Sequence, residues 1–88
     1  MPDLPYQVDL TASARKELRA LPKDVLGRLF QVLKDLSTTP RPAGSKKLTN
    51  SLSAWRVRVG DYRIVYAIDD KERIVEMIRI AHRGEVYR

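Results

Sequence analysis

The sequence has no cysteine and one histidine, His82. The missing thiols exclude a disulfide scaffold, a cysteine nucleophile, cysteine-based zinc sites and iron–sulfur clusters. One histidine excludes a histidine-rich metal centre. No apolar run approaches the ~18 residues that a membrane-spanning helix needs. The opening Met-Pro-Asp-Leu-Pro-Tyr lacks the basic-then-apolar pattern of a secretory signal. The expected location is therefore the cytoplasm, with no membrane partner. What is abundant is positive charge: 17 Lys and Arg against 11 Asp and Glu give a net charge of +6. Most of these cations are arginine, whose planar fork suits phosphate. The excess either keeps the surface hydrated or meets a polyanion: RNA, DNA or an acidic protein. With 88 residues, 43% apolar and 32% charged, the chain has the composition of one globular domain, expected over 1–88, with room for one core.

Along the chain, Leu4, Tyr6, Val8 and Leu10 alternate with Pro5, Gln7 and Asp9, which predicts a short strand. Thr11 or Ser13 is placed to cap a helix whose apolar stripe is Ala14, Leu18 and Leu21. Pro22 suits the start of a second helix, because its missing N–H costs nothing there. Val25, Leu26, Leu29, Phe30, Val32, Leu33 and Leu36 then recur at helical spacing and predict a broad core-facing stripe. Two prolines and a glycine between Thr38 and Ser45 end the helix in a loop. The second half alternates as strands do: Trp55, Val57 and Val59, then Tyr62, Ile64 and Tyr66, then a mostly apolar run from Ile74 to Ala81. The expected fold is α+β, in the order βααβββ, with the N-terminal strand and helix hairpin packed on an antiparallel sheet.

Gly60-Asp61 suits a two-residue type II′ hairpin loop. That loop fixes a register in which Val59 faces Tyr62, Arg58 faces Arg63, Val57 faces Ile64 and Trp55 faces Tyr66. One face then gathers the apolar residues and turns to the helices. The other gathers Arg56, Arg58 and Arg63, with two arginines directly opposite one another. Like charges so placed destabilise a strand pair by about 0.2–1 kcal/mol. Glu76 and Asp61 are the carboxylates available to pair with them; an anion between the guanidinium groups would also relieve the repulsion. Lys46 and Lys47 extend the positive surface from the preceding loop as expected RNA-binding charges. The tail His82-Arg83-Gly84-Glu85-Val86-Tyr87-Arg88 adds groups suited to a phosphodiester. Guanidinium would neutralise phosphoryl oxygens, and imidazole or phenol would move a proton.

The segment Arg56-Val57-Arg58-Val59-Gly60-Asp61-Tyr62-Arg63-Ile64-Val65-Tyr66, with Ala81-His82-Arg83 and Glu85-Val86-Tyr87 behind it, resembles the RelE/ParE superfamily of type II toxin–antitoxin toxins. The likeness runs nearly the whole length and is strongest to the RelE branch. It implies a RelE-like, microbial-RNase-like fold and an endoribonuclease that cuts mRNA in the A site of a 70S-type ribosome, stopping translation. It implies an acidic cognate antitoxin, operator DNA bound only through the antitoxin complex, and no metal or other cofactor. By position, the resemblance carries a catalytic role to Arg56, Arg58, Arg63, Arg83 and Tyr87. The reaction would be attack of a ribose 2′-oxygen on its own 3′-phosphate, with Arg63 and Arg83 meeting the charge that builds on phosphorus. The best-studied RelE-type enzymes have lysines where this chain has Arg56 and Arg58. Arginine does not give up its proton, so the general base falls to Tyr87, His82 or Glu85, with His82 titrating nearest neutrality. The extra C-terminal helix of some members is not expected here.

Two other functions fit parts of the sequence. A ParE-like inhibitor of DNA gyrase would share the fold and cut no RNA. A non-enzymatic nucleic-acid-binding module would need only the charge, with aromatics interleaved among the arginines. Trp55, Tyr62 and Tyr66 are predicted on the core-facing side instead, which argues against the module.

Overall fold

Val8 and Leu10, half-buried on one side of a four-residue strand, β1 (Gln7–Leu10), begin the architecture. A computed structural model describes residues 5–48 and 54–82. Thr11 ends the strand and caps α1 (Ala12–Arg19): its hydroxyl accepts from the Ala14 N–H at 3.1 Å. The same hydroxyl donates to the Ile78 carbonyl at 3.0 Å, so the cap also ties α1 to the sheet. Pro22 is the N-cap of α2 (Lys23–Thr38). Of the stripe expected to face the core, Leu29 and Leu36 are fully buried and Val32 and Leu33 pack against them. Phe30 does not join it: it is 52% exposed. One helical step of about 100° from Leu29 carries it off the stripe.

Four more strands follow: β2 (Lys46–Lys47), β3 (Ala54–Val59), β4 (Tyr62–Asp69) and β5 (Ile74–His82). They form one five-stranded sheet with β1, in the order β1-β5-β4-β3-β2. The hairpin has the expected register in every pair, from Val59 opposite Tyr62 to Trp55 opposite Tyr66. Gly60 takes a φ of +59°, and Asp61 is not among the positive-φ residues, the sign pattern of a II′ rather than a I′ loop. Two features extend the antiparallel expectation. β1 enters the sheet itself, parallel to β5, and the helix pair carries the chain from β1 at one edge to β2 at the other. Lys46 and Lys47 form a two-residue strand at the far edge.

β5 carries a bulge. Val65 pairs with Arg79 but Tyr66 pairs with Met77, so Ile78 is the extra residue. The bulge keeps Val75, Met77 and Ile80 on the core side although their spacing is not strictly two. These three, with Ile64, Tyr66, Ile68, Val59, Ala14, Leu29 and Leu36, are the core. Beyond the end of β1, Glu17 of α1 covers the β5 edge, accepting from the Ile80 N–H at 2.8 Å and from Arg79 Nε at 2.9 Å. A carboxylate there blocks pairing with a foreign strand.

Candidate functional site

The face of the sheet turned away from the helices is sorted by charge. On β3 the alternation sends Arg56 and Arg58 to this face, and on β4 it sends Arg63, directly across from Arg58. Lys46 pairs with Arg56 and joins them. Together with Val57 and Gly44, these four cations line a cleft of about 330 Å³. Among the described residues no carboxylate lines it. The cations are graded in depth: Arg58 is exposed, Arg56 half-buried, and Arg63 only 7% exposed. Arginine stays protonated even when buried. Arg63 therefore fixes a positive charge at the cleft floor, where weaker solvent screening gives its field more reach.

The acids stand elsewhere on the same face. Glu76 lies opposite Ala67 on one side and Asp9 on the other, and with Asp69 these line a second groove at the far end of the sheet, which Asp70 borders from the turn after β4. Glu76 therefore does not pair with the arginines, since Ala67 is four residues along β4 from Arg63. The face is bipolar.

The structure separates some residues that the sequence suggested would act together. Lys47 pairs with Trp55, so the alternation of β2 sends it to the opposite side from Lys46. His82 pairs with Tyr62 and meets its ring edge-on, with centroids 5.3 Å apart. Both belong to the helix-facing side, where His82 borders a hollow with Glu17 and Leu21. The sheet thus stands between the His82 imidazole and the cleft. Arg83, Glu85 and Tyr87 lie outside the described residues. Gly44 was missed by sequence reasoning; it borders the cleft with a φ of +91°, a conformation that favours glycine. Its place two residues before Lys46, after two prolines, is the available signal.

Comparison with known proteins follows the same lines. The sequence pattern of the family described as "ParE toxin of type II toxin-antitoxin system, parDE" matches residues 8–87. The chain is 42% identical over 88 residues to a protein named Toxin RelE from Mycobacterium tuberculosis, covering 98% of this chain and 90% of that one. The fold matches the toxin–antitoxin complex RelBE2 of M. tuberculosis with a TM-score of 0.78 and 34% identity, over 90% of this chain and 99% of that one. It also matches the intact RelBE toxin–antitoxin complex of E. coli, with a TM-score of 0.79 and 26% identity, over 88% and 95%.

Proposed function

Since the chain belongs to the ParE toxin family of type II toxin–antitoxin systems and stands with its RelE members, we propose that it is an endoribonuclease that cuts mRNA in the ribosomal A site. The observation that carries this reading is the cleft itself. Four cations converge on one cleft of the sheet, three of them arginines, an arrangement suited to gripping an RNA phosphate. Lys46, Arg56 and Arg58 grip the phosphodiester from the rim, and Arg63 meets the developing charge on phosphorus from the floor. Arg83 and Tyr87 complete the proposed site.

The ribose 2′-oxygen attacks phosphorus as its proton leaves to a base, and the bond from phosphorus to the 5′-oxygen breaks. The products are a 2′,3′-cyclic phosphate and a 5′-oxygen that takes up a proton to become a hydroxyl. Arginine cannot be the base, and His82 faces away, which leaves Tyr87 or Glu85 in the tail. The solved toxin–antitoxin complexes support a cognate antitoxin as the partner, and an acidic segment of it suits this face by charge. Operator DNA is reached through that complex.

The residue assignments are tested by Arg63→Ala and Tyr87→Phe, assayed for mRNA cleavage on programmed ribosomes. Losing a preorganised donor to a charged transition state costs about 10²–10³ in rate, and losing a positioned proton-transfer group about 10²–10⁴, so both variants should fall by those orders while remaining folded. Full activity in both would remove the site. Inhibition of gyrase supercoiling, with no RNA cut by the wild type, would move the chain to a ParE-like activity.

A further inference from the structure

The loop that carries Gly44 and Lys46 to the cleft is fastened on the opposite side of the sheet. Arg41 makes a two-pronged contact with Asp70, NH1 to Oδ1 at 3.2 Å and NH2 to Oδ2 at 2.8 Å. Its guanidinium also lies over the Trp55 ring, 5.3 Å from the centroid. Asp70 accepts a third hydrogen bond, from the Tyr6 hydroxyl at 2.7 Å. One residue earlier, the Pro40 carbonyl accepts from the Tyr66 hydroxyl at 2.8 Å. Tyr6 precedes β1, Trp55 belongs to β3, Tyr66 to β4, and Asp70 to the turn after β4. The loop is therefore pinned to three separate parts of the fold, and Tyr6 braces one of them, Asp70, from a fourth.

Between that anchor and the cleft the chain has little slack. Pro40 and Pro42 have restricted φ, and the Ser45 N–H closes a turn on the Pro42 carbonyl at 3.0 Å. Gly44 then lines the cleft, and Lys46 enters β2 opposite Arg56. β2 has only two residues, and one of its two pairs places a lysine across from an arginine. Like charges directly opposite weaken a strand pair, so the ladder alone is a poor anchor for this edge.

We propose that Arg41 is a positioning residue for the cationic cleft: its fork on Asp70 and its stacking on Trp55 set where Gly44 and Lys46 stand against Arg56 and Arg58. This rests on the reading of the cleft as the phosphate site. The Arg41 contact holds the Asp70 carboxyl well below the usual carboxylate range, so the fork is charged on both sides at neutral pH.

The test uses the purified chain, a short single-stranded RNA made uncleavable by 2′-O-methyl groups, and amide hydrogen exchange. Variants are Asp70→Asn, Arg41→Lys and Arg41→Ala, with Arg56→Ala as the control on the cleft. Asp70→Asn removes a negative charge, so direct attraction alone would strengthen RNA binding. Positioning predicts the reverse: binding about 10-fold weaker, and exchange at residues 45–48 faster while β4 and β5 keep their protection. Arg41→Ala should match it, and Arg41→Lys, which keeps the charge without the fork, should be only partly restored. Unchanged exchange at 45–48, or RNA bound as tightly or more tightly by Asp70→Asn, overturns the proposal. If Arg56→Ala also binds RNA like the wild type, the reading of the cleft falls with it. If Arg56→Ala alone weakens binding, only the positioning role falls.

Discussion

Arg63 shows what a single residue adds to this site. Its alternation with Tyr62 and Ile64 puts it on the arginine face, which the sequence made plain. Its depth was not legible, because burial depends on neighbours far away in the chain. Asp70 is a second case. Its carboxyl sits at about 2, down from 3.8, first because Arg41 hydrogen-bonds to it and then because Tyr6 does. A carboxyl lowered in the folded state contributes stability that is fully present above its unfolded value, near 4, and is lost as pH falls toward 2. Denaturant midpoints measured between pH 5 and 2 should therefore show wild type more stable than Asp70→Asn at the upper end. The gap should close at the lower end, and a gap that widens on acidification would contradict this. Neither Arg41 nor Asp70 invited the pairing by sequence, since each lies in a turn and 29 residues separate them.

At the scale of elements, the hairpin was readable because Gly60-Asp61 and the flanking alternation agree on one register. β2 was not, because Lys-Lys has no apolar alternation to reveal a strand or its faces. That is why Lys46 and Lys47 read as one patch and stand on two sides. The parallel entry of β1 was equally hidden, since its partner lies more than sixty residues away. In α2 the apolar spacing gave the helix but overfilled the core face, with Phe30 left in solvent. The same helix carries Gly27 at an exposed interior position where an added Cβ would meet nothing within 4 Å. Glycine there costs helix stability and adds freedom to the unfolded chain, so Gly27→Ala should stabilise the protein by about 0.5–1 kcal/mol. A denaturation midpoint that stays put or falls would show that α2 needs this glycine for another reason.

Over the whole molecule, the net charge of +6 has become a polarity. One end of the outer sheet face holds Lys46, Arg56, Arg58 and Arg63, and the other end holds Asp9, Asp69 and Glu76. RNA binding should follow counterion release, with each neutralised phosphate adding about 0.7 to the slope of log affinity against log salt for a single strand. Arg56→Ala should flatten that slope by about this amount, as measured by anisotropy across a salt series; an unchanged slope would place the RNA elsewhere. The central claim, that this cleft holds an mRNA phosphate for attack by its own ribose, is tested most directly by mapping mRNA ends after adding the protein to ribosomes stalled at a defined codon. The account predicts new 5′-hydroxyl ends within the A-site codon, absent with Arg63→Ala. Intact mRNA, or cuts bearing 5′-phosphates, would contradict it.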